Sequence, residues 1–394
     1  MNSNPKIGSD NNKICIITSH FCKNARGGIQ RELEGLINQI ENQYNISILT
    51  KTLGSEIPNC NYSNVKIYPL GEFVPYSSHE SKLVKVIRFI VNETINPVIF
   101  YKIYAFLKKE KPNIVFIGET LQLSLSPILC AKLLRIPMII RWDWICPAYP
   151  KNHACTIRDR IYGCGECVET FYHLRFNSWC RMFFGAFCSF IYIIKKKLWN
   201  SSYVVIVDNL FFKELYSSWG INSDNIKIIS GFSSLEKNIE LDDLFKSLYD
   251  KNYITFAYVG RITPEKGICL LLEAFNNLCQ QYNNLRLIIA GDGILKTAVE
   301  KESLKNEKII YLGWLEKDQL SMLYSIADVI VIPSIVPEGH SVTAQEAISF
   351  DKTILAFNHG GLSEICASYP FSIPVNEIST ASLFRSMEKF IKSN

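Results

Sequence analysis

Glu338 and Glu346 flank a small polar turn in PEGHSVTAQEA, residues 337–347, with seven residues between them. If a helix begins at Ser341 or Val342, Glu338 lies in a strand-to-helix loop and Glu346 near the second turn, so both carboxylates can face one crevice. Amide dipoles at such a helix start favour an anion, and a carboxylate suits a diol as a hydrogen-bond acceptor. A second chemistry-bearing stretch is GRITPEKG, Gly260 to Gly267. Arg261 and Lys266 lie five apart across a turn that Pro264 shapes, and both can reach one diphosphate from the start of the next helix. A solvated charge pair is the plain alternative. The GDG turn, Gly291 to Gly293, permits close backbone approach, and the pair Gly27 and Gly28 precedes a helical pattern where backbone N–H groups can meet a phosphate. The spacing of that pair is not G-x-G-x-x-G, and an ordinary tight turn explains it as well.

Positioning these residues needs strands that end beside them. KICIITS at 13–19, ISIL at 46–49, NIVFIG at 113–118, PMIIRW at 137–142, YVVIV at 203–207 and IKII at 226–229 read as buried strands. Helical patterns lie between several of them, as in Leu33, Leu36, Ile37 and Ile40, and in LSPILCAKLL at 125–134. After the polar stretch SSLEKNIELDDLFKSLYDKN the pattern restarts with TFAYVG at 255–260, RLIIAG at 286–291, IIYLG at 309–313, DVIVIPS at 328–334 and TILAF at 353–357. Strands alternating with helices predict parallel sheets covered on both faces, so the chain is α/β with two Rossmann-like domains, 1–234 and 235–394. Such domains place ligands at the carboxyl ends of their strands, and facing edges would enclose a deep inter-domain cleft.

A chain of 394 residues is long enough for two cores. With 48% hydrophobic and 20% charged residues, the composition excludes disordered and collagen-like classes. A net charge of +5 spread over this length does not call for nucleic acid. MNSNPKIGSDNN has no apolar leader pattern, so a secreted disulfide framework has no warrant, and the thirteen cysteines are expected to be mostly reduced and buried. Cys146, Cys155, Cys164 and Cys167 cluster, and Cys164-x2-Cys167 has metal-like spacing. Structural zinc and free thiols are both open for them. WCRMFFGAFCSFIYII, Trp179 to Ile194, is too short and too interrupted by Arg181 to span a bilayer, and it ends in three lysines. It reads either as a core helix with a solvated end or as an aromatic helix resting on an anionic membrane surface.

Together GRITPEKG, GDG, YLGWLEKDQLSMLYSIADVIVIPS, PEGHSVTAQEA and HGGLSEI resemble retaining family 4 of the GT-B glycosyltransferases, whose second domain carries a basic phosphate loop and an E-x7-E signature. The likeness runs over nearly the whole chain and is specific from Tyr258 to Ile365. It implies a GT-B fold and a metal-independent transferase that moves a sugar from a nucleotide-sugar donor, a UDP-sugar by preference, to a glycan or lipid-linked glycan acceptor. Arg261 and Lys266 would hold the donor diphosphate, Glu346 the ribose, and Glu338 would lie by the donor sugar. The backbone of Gly339, His340, Ser341 and Val342 would touch sugar or phosphate, next to Gly260, Gly291 and Gly293. Gly28, with Gly27, would close over the diphosphate from the first domain, which would bind the acceptor. The implied setting is cytoplasmic, with peripheral contact on the cytoplasmic membrane face through residues 171–199 as one reading.

The sequence also departs from that family. In RWDWICPAY, Trp142 stands where many relatives have histidine, and Asp143 remains as a catalytic candidate beside Glu338, Arg261 and Lys266. His340 replaces a commoner aromatic residue. LFRSMEKFIKSN reads as the helix before a final crossing segment, which is either missing or replaced by an earlier helix. Two other functions therefore stay open. One is a non-catalytic nucleotide-sugar-binding subunit, motivated by Trp142 and the chain end. The other is a nucleotide-sugar epimerase of the same fold, against which the phosphate loop and E-x7-E argue.

Overall fold

The computed structural model describes residues 12–21, 28–52, 64–72, 80–118, 120, 122–141, 168–169, 174–229, 235, 237, 239–339 and 341–393. The chain divides into two compact units, one of Met1–Asp208 and Phe212–Ser230, the other of Asn209–Phe211 and Gly231–Asn394.

Among the described residues of the first unit seven strands form one sheet: β1 (Lys13–His20), β2 (Asn45–Thr52), β3 (Val65–Glu72), β4 (Ile114–Ile117), β5 (Met138–Arg141), β6 (Val204–Val207) and β7 (Ile226–Ile228). Their order is β3-β2-β1-β4-β5-β6-β7, and every pairing is parallel. Ile16, Ile48 and Phe116 pack with Leu33 and Ile37 of the Gly28–Ile40 helix on one face. Short apolar runs therefore became central strands because a parallel sheet is covered on both faces.

The second unit repeats this plan with β8 (Ile254–Val259), β9 (Leu285–Ala290), β10 (Ile309–Gly313), β11 (Val329–Ile332), β12 (Thr353–Phe357) and β13 (Ser372–Val375). The order is β10-β9-β8-β11-β12-β13, again parallel throughout. Two apolar clusters sandwich this sheet, one built on Phe256, Leu271, Phe275 and Leu287, the other on Ala257, Ile288, Leu323 and Tyr324. The terminal helix Thr380–Ser393 adds Leu383, Met387 and Ile391 to the first cluster, and Thr380 Oγ1 donates to Glu273 on the Ile268–Cys279 helix at 2.9 Å.

Two strands were not legible in the sequence, β3 (VKIYPLGE) and β13 (SIPV). Each contains proline, which removes a ladder donor and argues against a strand, yet both lie at sheet edges, where that loss is tolerated. The aromatic stretch forms the helix Ser178–Trp199, capped by Asn177, whose Oδ1 accepts from the Cys180 amide at 2.8 Å. Phe184, Cys188, Ile191 and Trp199 are buried while Trp179, Phe183 and Phe190 are exposed. Among the described residues no helix is long and apolar enough to cross a membrane. Seven cysteines are described, all free, and the expectation of burial holds only in part: Cys15, Cys130 and Cys188 are buried, but Cys180 and Cys269 are exposed on helix surfaces.

Candidate functional site

In the second sheet β8 has β9 on one side and β11 on the other, so the loops leaving β8 and β11 diverge at the point where strand order reverses. Ligand crevices form at such points in open parallel sheets. GRITPEKG leaves β8, GDG leaves β9 and PEGHS follows β11, so the sequence motifs share one sheet edge.

Backbone contacts lock these loops to one another. Ile262 N–H donates to the Asp292 carbonyl at 2.8 Å, and Leu295 N–H returns to the Ile262 carbonyl at 3.0 Å. Ile335 N–H donates to the Glu265 carbonyl at 2.9 Å, and Thr343 Oγ1 donates to the Val259 carbonyl at 3.0 Å. Two glycines make the closest approaches. Gly267 has φ 71° and a Cβ there would overlap the Pro333 carbonyl; Gly291 has φ 142° and its Cβ would overlap the Gly260 carbonyl. Any side chain would part the loops, so glycine is required by both conformation and space.

Glu338 is the buried centre of this edge, 9% exposed, and Lys266 Nζ donates to its Oε1 at 2.7 Å. The Ser334 hydroxyl donates to the same oxygen, and the Ser341 hydroxyl also contacts the carboxylate. Burial pushes the carboxyl up, but the Lys266 charge and the hydrogen bonds from Lys266, Ser334 and Ser341 outweigh it, holding Glu338 below the usual carboxylate range. It is thus a charged acceptor at neutral pH. Its backbone is fixed as well, because Glu338 bridges Gly360 in parallel and Gly361 N–H donates to the Glu338 carbonyl at 2.8 Å.

The helix Val342–Ser349 starts where the spacing predicted, with Ser341 as its N-cap. Glu346 on that helix is 1% exposed and accepts from the Tyr324 hydroxyl at 2.8 Å. Arg261 behaves differently from Lys266: its side chain is 58% exposed and its nearest described carboxylate, Glu265, is 3.9 Å away. The Gly293 amide is turned back to Asp292 Oδ1 at 2.8 Å, and the Gly260 amide donates to the Ala290 carbonyl at 3.1 Å. Gly28 opens the first helix of the first unit. Gly27, Asp143, His340 and the four clustered cysteines lie outside the described residues, as does Trp142. Among the described residues no group of three metal-ligating side chains is found.

Several residues that shape the site escaped the sequence reading. Ser334 and Tyr324 hold the two glutamates, yet a serine ending a strand and a tyrosine inside an apolar helix carry no distinguishing pattern. Asn209 is the clearest omission: its side-chain amide donates to the Gly339 carbonyl, while Glu364 accepts from the Leu210 and Phe211 amides at 3.1 and 2.8 Å. These contacts join residues more than a hundred positions apart, which no local motif can announce.

Residues 240–394 match the family described as glycosyl transferases group 1. A lipopolysaccharide 1,2-N-acetylglucosaminetransferase of Salmonella typhimurium is 36% identical over 117 residues, covering 27% of this chain and 31% of that protein. An uncharacterised glycosyltransferase of Methanocaldococcus jannaschii is 31% identical over 179 residues, 42% of this chain and 45% of that one. The chain thus matches under half the length of these curated relatives. The crystal structure of Anabaena HepE in complex with UDP superposes with a TM-score of 0.64 at 14% identity, covering 97% of this chain and 90% of that one. The chain has the GT-B fold, and its residues 240–394 are similar to the glycosyl transferases group 1.

Proposed function

We propose that the protein is a retaining glycosyltransferase that takes a sugar from a nucleotide-sugar donor, by preference UDP-linked, and passes it to a glycan or lipid-linked glycan. The observation that carries this is the Lys266–Glu338 pair at 2.7 Å on the edge where three glycine-bearing loops interlock. Arg261 and Lys266 meet the diphosphate, which needs no divalent ion for its neutralisation. Glu338, ionised and fixed from several sides, accepts hydrogen bonds from the donor sugar and is unsuited to deliver a proton. Glu346 takes the ribose end. The anomeric C–O bond to phosphate breaks, the acceptor oxygen bonds to the same face of that carbon, and its proton passes to the departing phosphate oxygen. The matched family and a UDP-bound fold neighbour support this reading, and the first unit is left to bind the acceptor. The exposed aromatic residues Trp179, Phe183 and Phe190 give that unit a surface for peripheral contact with the cytoplasmic membrane face.

The test is thermal melting of the purified protein with UDP, GDP, ADP and their sugar conjugates, with and without chelator. A shift with uridine nucleotides that chelator leaves intact is the expected result. No shift with any nucleotide would overturn the reading. Proton NMR of the transfer product then reads the anomeric configuration, and inversion would defeat the retaining assignment.

A further inference from the structure

The first sheet holds a charged group that none of this chemistry uses. Lys51, near the carboxyl end of β2, is only 9% exposed. Its Nζ donates to Gln122 Oε1 at 3.2 Å, a neutral acceptor, and among the described residues no carboxylate pairs with it. The charge that acts on it has the same sign: Arg88, on the Lys82–Glu93 helix, whose guanidinium is paired with Glu80. Burial, and secondly the Arg88 charge, hold the Lys51 ammonium below the usual lysine range. A buried cation with only an amide to accept from it costs stability, so a bound counter-charge would repay its retention.

The surroundings are built with care. Gln122 and Ser124 both have φ 60°, in the left-handed region, though neither is glycine. The strain is held by the Ser124 hydroxyl, which lies 2.7 Å from the Ser126 hydroxyl and accepts from the Asn96 amide at 3.1 Å. β2, which carries Lys51, and β4, which precedes Gln122 in the chain, flank β1, where the strand order of this sheet reverses. That is where an open parallel sheet takes a ligand.

We propose that Lys51, with Gln122 and Arg88, forms a binding site for an oxyanion, a carboxylate or a phosphodiester. Its role as the anchor for an acidic group on the acceptor rests on the transferase reading; the anion site itself does not. The ammonium donates to the anion beside Gln122, and the Arg88 charge adds attraction from the neighbouring helix.

The experiment is a melting series on the full chain with sodium glucuronate, sodium dimethyl phosphate and, as a neutral control, glucose, at matched ionic strength. Glucuronate or dimethyl phosphate should raise the melting temperature and glucose should not; whichever anion acts tells carboxylate from phosphodiester. Lys51→Met should weaken that response at least about tenfold. Gln122→Glu should abolish it while stabilising the free protein, because the new carboxylate takes the anion's place. The 15Nζ resonance of Lys51, identified by its loss in Lys51→Met, should titrate at higher pH with the anion bound. Absence of any anion response in the wild type, or a full response in Gln122→Glu, would overturn the proposal. UDP belongs in the same series: a shift with UDP and none with either anion sinks this site alone, and the reverse sinks the nucleotide reading alone.

Discussion

Lys266 and Lys51 each sit at the carboxyl edge of a parallel sheet, and their partners differ. Lys266 donates to the Glu338 carboxylate at 2.7 Å; Lys51 donates to the Gln122 amide at 3.2 Å. The first pair brings its own counter-charge, so burial of Glu338 is compensated and the carboxylate stays ionised. The second leaves a buried cation with an amide, and among the described residues no carboxylate, opposite it. The difference teaches that a lysine beside a crevice has no fixed meaning: the charge of the acceptor opposite decides whether it organises a site or waits for a ligand.

The largest break in this comparison comes from the scaffold under Lys266. Gly267→Ala drives a Cβ into the Pro333 carbonyl at φ 71°, and denaturant unfolding should show a loss of roughly 4 kcal/mol, with the first unit's core strands unaffected in hydrogen exchange. Next, Glu338→Ala should lower transfer about 100-fold or more while nucleotide affinity stays within a few-fold; preserved turnover would remove Glu338 from the chemistry. The conservative Glu338→Gln tests its charge. Because the folded carboxyl titrates below its unfolded value, its contribution is full above the ordinary glutamate value of about 4.3 and is lost as pH falls through the folded value. Glu338→Gln should flatten that acid limb of stability.

Arg261 sharpens the comparison from the exposed side. Arg261→Ala should change stability by less than about 0.5 kcal/mol, yet weaken UDP binding about tenfold by calorimetry, since among the described residues its exposed guanidinium has only Glu265, 3.9 Å away, as an ion-pair partner to lose. The smallest effect belongs to Lys51. Its folded value lies below its unfolded value near 10.4, so the unfolded chain holds the proton longer and stability rises with pH across that alkaline window. Below the window the penalty is complete. Lys51→Met should therefore add about 1 kcal/mol at neutral pH and lose the alkaline rise.

Much of the second unit was legible because its chemistry sits in short contiguous loops. GRITPEKG, GDG and PEGHSVTAQEA each follow an apolar strand, and Ser341 marks the helix start that separates the two glutamates. The first unit was less legible. Its edge strand β3 hides a proline, and Lys51 looks like any lysine after a strand. Only the burial of its ammonium against Gln122, seventy-one residues away, sets it apart.

What the amino-acid order determined by itself was local: which runs are apolar enough for buried parallel strands, where helices are capped, and which loops carry glycine beside cations. Tertiary structure decided which carboxylate faces which cation. Lys266 reached Glu338 across seventy-two positions, Tyr324 reached Glu346 across twenty-two, and Asn209 reached Gly339 across one hundred and thirty. The physical reason is that periodicity and turn chemistry act over a few residues, whereas ion pairing and desolvation act through space once the sheet has brought distant loops to a common edge.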